Sequence, residues 1–127
     1  MKFFFDSSAW IEYLEGSEKG EKVKDILKGD NDVFSIPLVI SEVVSKVKRS
    51  GKDTDICFKA IISNSKIFNL TPEIAKEVGI LHAEIKKKKR DFGLADATIW
   101  VCAKKLDSKL ITCDHHFKDF GNLLLLD

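Results

Sequence analysis

Apolar positions along this chain come in two arrangements. Some form short unbroken runs, and others recur every three or four residues over longer stretches. The first run is Phe3-Phe4-Phe5, and Asp6 closes it. A run this short and this apolar predicts a strand buried on both faces, as in the middle of a parallel sheet. Further runs predict strands over 33–36, 67–70 and 109–113, with a last short strand over 123–126 at an edge.

The helical stretches lie between these runs. Ser7 or Ser8 is placed to cap a helix over 9–15. Val23, Ile26 and Leu27 form a narrow stripe over 18–28, and Gly29 is placed to stop it. Pro37 closes the second strand and also suits the first turn of the next helix. That helix carries Val39, Ile40, Val43, Val44 and Val47 and ends near Ser50-Gly51. Another helix spans 52–63, with Ile56, Phe58, Ile61 and Ile62 available for packing. Thr71 and Pro72 open a long helix whose buried face is Ile74, Val78, Leu81 and Ile85. It leaves the body in the basic run Lys86 to Arg90. After Gly93 comes a helix over 94–105 that is almost wholly apolar and is expected at the centre of the fold.

Strands alternating with helices predict an α/β fold with a parallel sheet of four to five short strands flanked by helices. The 127 residues fit one domain, 1–127, with no internal repeat or linker. Hydrophobic residues at 44% and charged residues at 32% indicate a folded, soluble chain. No apolar run has membrane-spanning length, so no membrane association is expected. The opening Met1-Lys2 before three Phe is too short for a signal peptide, and a cytoplasmic protein is expected. The formal net charge of +1 gives no global reason to bind nucleic acid, so such a site must rest on a local patch. Cys57, Cys102 and Cys113 are odd in number and widely spaced, which supports neither a disulfide framework nor a zinc site. Abundant Lys and absent Gln hint weakly at a thermophilic source.

Most of the 20 acidic residues are expected to be solvated. Four have unusual surroundings. Asp6 follows Phe5, and Asp114 follows Leu-Ile-Thr-Cys; both end strands. Glu42 lies among valines in the first turns of the helix after the second strand. Asp96 lies near the start of the most apolar helix. Strand C-termini and the N-termini of the helices that follow share one edge of a parallel sheet, which is where ligands bind in such folds. Each acid alone has a bland reading as a cap, a turn residue or part of a polar stripe. Together they would repel one another and raise one another's pKa values. A divalent cation resolves the conflict, and oxygen-only ligands suit Mg²⁺ or Mn²⁺.

Four pieces, in order, resemble the PIN domain and, within it, the small prokaryotic VapC-type toxins of toxin–antitoxin pairs. They are Phe4-Phe5-Asp6-Ser7-Ser8 with Trp10-Ile11-Glu12-Tyr13-Leu14, then Ser41-Glu42-Val43, then Leu94-Ala95-Asp96-Ala97, then Leu110-Ile111-Thr112-Cys113-Asp114. The resemblance implies a three-layer α/β/α fold and a metal-dependent ribonuclease. Asp6, Glu42, Asp96 and Asp114 would be its catalytic and metal-binding acids, with Ser8 and Thr112 as supporting hydroxyls. It also implies a homodimer neutralised by a small antitoxin protein. Cys113 departs from the basic residue frequent before the last acid, which affects substrate contacts more than the metal site.

The reaction expected is hydrolysis of an RNA phosphodiester by metal-activated water, with no protein nucleophile. Lys86, Lys87, Lys88, Lys89 and Arg90 are candidates for phosphate contact, as are Lys46, Lys48 and Arg49. The alternative for the first group is a solvated helix end whose cations suit the helix dipole. His115 and His116 read as turn residues, with phosphate or metal contact as the alternative. Trp10 and Tyr13 suit core packing or an interface better than base stacking. A response-regulator receiver needs an acidic pair after the first strand, and Ser7 stands there. A haloacid-dehalogenase-like phosphatase needs Asp-x-Asp, and Ser8 takes the second position. The alternative from another class is a non-catalytic RNA-binding or partner-binding module on the same fold.

Overall fold

The computed structural model describes residues 1–127. In chain order the elements are β1 (Lys2–Phe5), α1 (Ser7–Glu15), α2 (Glu18–Lys28), β2 (Asp32–Ser35), α3 (Pro37–Arg49), α4 (Thr54–Asn64), β3 (Lys66–Ile67), α5 (Pro72–Lys86), α6 (Leu94–Lys105), β4 (Lys109–Thr112) and β5 (Leu123–Leu125). A short 3-10 turn, His115–Phe117, links β4 towards β5. The five strands form one parallel sheet in the order β3-β2-β1-β4-β5. Helices cover it in a three-layer α/β/α arrangement. Helix α1 packs on both α2 and α3, α3 packs on α4, and α5 packs on α6.

Sheet order places β1 at the centre, paired with β2 on one side and β4 on the other. The chain winds outward from β1 to β3, then crosses to β4 and winds the other way. That reversal makes the carboxyl ends of β1 and β4 a topological switch point. Central position explains why Phe4 and Phe5 are fully buried, as are Leu110 and Ile111 on β4. Trp10 on α1 packs edge-on to Phe5 with ring centroids 5.1 Å apart.

A second aromatic cluster lies under the loops that follow α5 and β4. Phe120 stacks on Phe92 at 5.5 Å and meets Phe117 and Trp100 edge-on at 5.8 and 5.0 Å. Phe92 and Phe117 are fully buried, so they anchor both loops to the core. On the other side, α1 and α2 approach closely at Gly20. A Cβ there would lie 2.2 Å from the Glu12 carbonyl oxygen.

Several boundaries differ from the sequence reading. The cap of α1 is Asp6, not Ser7 or Ser8: its side chain accepts the Ala9 N–H at 3.0 Å. The third strand shrinks to two residues. Phe68 still donates to the Ser35 carbonyl, but Thr71 and Pro72 already commit the chain to α5. Asp53 caps α4, which therefore starts at Thr54. Of the apolar residues expected to pack from α4, only Ile61 is buried; Ile56, Phe58 and Ile62 are 65%, 46% and 44% exposed. On α5 only Val78 is fully buried, because the helix lies near the rim of the core. No helix is long and apolar enough to cross a membrane.

Candidate active site

The site is built from two strand ends and two helix starts, as the topology dictates. Its floor is Asp6, which is 4% exposed. The Ser8 hydroxyl donates to Asp6 Oδ1 at 2.6 Å and itself accepts the Cys113 N–H at 2.9 Å. The Thr112 hydroxyl donates to Asp6 Oδ2 and accepts the Asp114 N–H at 2.9 Å. Each hydroxyl thus bridges the carboxylate at the end of β1 to a backbone amide just past β4. Backbone pairing continues the link, since Asp6 N–H donates to the Ile111 carbonyl at 3.2 Å. Burial pushes the Asp6 carboxyl up to about 6, against the hydrogen bonds from Ser8, Thr112 and Ala9, with the Asp114 charge adding to the rise.

The rim stands above this floor. Asp96 occupies the third position of α6, and its Oδ2 accepts the N–H of the capping residue Gly93 at 2.8 Å. That is half of a capping box, and a carboxylate there is favoured by the helix dipole. Asp114 caps the 3-10 turn by accepting the His116 N–H at 2.8 Å. His116 then turns its ring into the site. Nδ1 lies 3.2 Å from Asp96 Oδ2 and 3.3 Å from Asp114 Oδ1, and Nε2 lies 3.0 Å from Asp91 Oδ2. Burial would lower the His116 pKa, but Asp114, Asp91 and Asp96 outweigh it, and the net shift is upward.

Glu42 lies in the second turn of α3, half-buried. Its Oε1 is buried and has no hydrogen-bond partner. Burial raises its pKa, the Ser7 hydroxyl offsets part of that, and the Asp96 charge adds to it. Asp114 therefore acts electrostatically on Asp6, and Asp96 on Glu42. All four acids singled out in the sequence share one edge, in unequal roles. Asp96, Asp114 and His116 present ligand atoms within 4.8 Å of one another and could hold a metal ion.

The basic residues divide. Lys86 Nζ donates to the Arg90 carbonyl at 2.8 Å, closing the end of α5. Lys89 pairs with Asp119 at 3.5 Å and lies 5.5 Å from the Phe120 ring centroid. Lys87, Lys88 and Arg90 are exposed, and the run leads directly into Asp91 at the rim. Lys46 and Arg49 lie in the far half of α3, about 6 and 10 Å further along its axis than Glu42. Lys46 lines a small hollow with Ile11 and Leu14 instead. A surface hollow of about 510 Å³ lies elsewhere, between Glu12, Lys19 and Asp127.

Sequence reasoning misses Asp91, and it ranks His116 first as a turn residue, with phosphate or metal contact as the alternative. The signal for His116 was its place two residues after the last acid, with buried Phe117 next to it. For Asp91 it was buried Phe92, again the next residue.

A family model described as PIN domain matches residues 3–123. Among solved structures the chain is similar to VapBC2 from Rickettsia felis, bound to a DNA fragment from its promoter, with TM-score 0.77 and 20% identity over 98% of this chain and 97% of that one. It is similar to VapC20 from Mycobacterium tuberculosis, a toxin that cleaves the sarcin–ricin loop, with TM-score 0.76 and 14% identity over 98% and 99% of the two chains. VapBC-1 from nontypeable Haemophilus influenzae gives TM-score 0.69 and 17% identity over 99% and 98%. These likenesses show a shared fold. A search of curated proteins found no significant match.

Proposed function

The chain belongs to the PIN domain family, and on that premise we propose that it is a divalent-metal-dependent endoribonuclease of the VapC toxin type. The observation that carries this reading is the cluster of ligand atoms from Asp96, Asp114 and His116 within 4.8 Å of one another, with the buried Oε1 of Glu42 left unpartnered on a side chain that feels the Asp96 charge. An orphaned buried carboxylate oxygen is costly, and a cation at this edge would satisfy it. The donor set fits Mg²⁺ or Mn²⁺ held by Asp96, Asp114 and Glu42, with Asp6 beneath them.

A bound Mg²⁺ or Mn²⁺ would supply Lewis-acid activation of water and neutralise charge on the scissile phosphate. The rest falls to the chain's own residues. Ser8 and Thr112 fix both Asp6 oxygens, so the floor carboxylate cannot rotate. The backbone N–H groups of Gly93 and His116 hold one oxygen each of Asp96 and Asp114. Lys87, Lys88 and Arg90 run up to the rim and would contact RNA phosphates on either side of the cleaved bond. Lys46 and Arg49 would meet only RNA that extends along α3. RNA as substrate puts this work in the cytoplasm.

The proposal includes partners, namely a second copy of the chain and a small antitoxin protein. Ile56, Phe58 and Ile62 on α4 support this, being apolar side chains left on the surface for another chain to cover.

The test is a cleavage assay on a pool of structured RNA with Mg²⁺ or Mn²⁺, beside an EDTA control and Asp96→Asn. Cutting is expected only with metal and with Asp96. A folded, metal-binding wild type that cuts nothing would instead make the chain a binding module on a nuclease fold.

A further inference from the structure

We infer that His116 is a nitrogen ligand in the metal site, oriented by Asp91, and that it makes the site select Mn²⁺ over Mg²⁺. The inference rests on the proposed metal site at Asp96 and Asp114 and goes beyond it.

The two ring nitrogens of His116 face different carboxylates. Nε2 lies 3.0 Å from Asp91 Oδ2, and a carboxylate there calls for an N–H. The same rule puts a proton on Nδ1 in the metal-free chain, where Asp96 Oδ2 and Asp114 Oδ1 lie 3.2 and 3.3 Å away. Both oxygens also accept backbone N–H groups, from Gly93 and from His116 itself. A cation bound between these three atoms would take that proton's place, and the Nδ1 lone pair would then face it. A carboxylate holding one ring nitrogen while the other faces an ion is the usual arrangement around a metal-bound histidine.

The placement is built into the fold and is not an accident of a surface loop. Asp91 precedes buried Phe92 and His116 precedes buried Phe117, and both rings pack against Phe120. The aromatic cluster therefore sets the spacing between the carboxylate and the imidazole. The imidazole is 33% exposed, so solvent and ions reach it.

Selectivity follows from the ligand type. Mg²⁺ takes oxygen donors and keeps its water, whereas Mn²⁺, a transition-metal ion, binds an imidazole more readily than Mg²⁺ does. One nitrogen among oxygens shifts the preference without excluding Mg²⁺.

The test uses Mn²⁺ itself as the probe, bound to the full chain in the absence of RNA. Pulsed electron paramagnetic resonance should show ¹⁴N coupling from a directly bound imidazole. That coupling should change when ¹⁵N-histidine is incorporated, and it should vanish in His116→Gln. Calorimetry should show Mn²⁺ affinity falling at least about tenfold in His116→Gln and about tenfold in Asp91→Ala. Mg²⁺ affinity should move less than about twofold. The spectrum of the wild type needs no variant to fold. Tight Mn²⁺ binding without ¹⁴N coupling would overturn the inference and leave the nuclease reading standing. A wild type that takes up no Mn²⁺ or Mg²⁺ would overturn both.

Discussion

The floor and the rim of the site are made from the same kind of residue and behave in opposite ways. Asp6 at the end of β1 has both oxygens hydrogen-bonded by the chain and is almost wholly buried. Asp114 at the end of the neighbouring strand is 35% exposed at its side chain and shares its imidazole neighbour with Asp96. The difference comes from what stands beside each carboxylate. Two hydroxyls, one from each neighbouring segment, close over Asp6. A histidine that is itself held by a third acid faces Asp114. The floor is thus part of the packing, and the rim is partly open to solvent.

That contrast can be broken at several points. The largest effect is expected at the rim. Asp96→Asn should lower RNA cleavage on the order of 10³-fold or more. Its melting should move by less than about 1 kcal/mol, because the amide oxygen still accepts the Gly93 N–H. A large loss of stability would mean that rim and floor do the same job.

The next effect belongs to the floor and concerns pH. Burial raises the Asp6 carboxyl from 3.8 to about 6. Between those values the folded chain keeps a proton that the unfolded chain releases, so stability falls as pH rises through the window. The loss is about 3 kcal/mol for the metal-free protein and levels off above the upper value. Urea midpoints measured in EDTA across the window check it. Asp6→Asn, which carries no charge at any pH, should flatten most of the slope. An unchanged slope in that variant would move the effect to another group.

Removing one hydroxyl sharpens the picture further. Thr112→Val leaves Asp6 Oδ2 and the Asp114 N–H without their partner. A stability loss of about 1–3 kcal/mol is expected by denaturant titration, even before activity is measured. The smallest effect lies outside both regions. Replacing Lys87, Lys88 and Arg90 with Ala should weaken RNA binding about tenfold and lower the slope of log K against log salt by about 2. An unaltered salt slope would assign that run to solvent alone.

Much of this was legible in the residues themselves. Unbroken apolar runs ending in an acid marked β1 and β4, because a parallel strand buried on both faces has no polar alternation. The acids stood out because each interrupts an apolar stretch. What could not be read was which acid would be closed over and which left open. That depends on Ser8 and Thr112, which are 104 positions apart in the chain, meeting at one carboxylate. The part played by Asp91, and the choice between turn and site for His116, were hidden for a similar reason. Their approach is set by Phe92, Phe117 and Phe120 stacking from two separate loops. The apolar side chains of α4 misled in the other direction, since periodicity shows a stripe but not whether anything within the chain covers it.

The central position of β1 has a consequence for how the protein is made. Phe4 pairs in register with Leu110, and Asp6 takes a hydrogen bond from Thr112, 106 residues later in the chain. Synthesis delivers β1 well before β4, and domains fold as their segments emerge. A nascent chain that has exposed α6 but not β4 carries Asp6, Glu42 and Asp96 on an incomplete sheet, with neither Thr112 nor Asp114 to assemble them. The acidic edge therefore comes into being only once β4 has emerged and paired with β1.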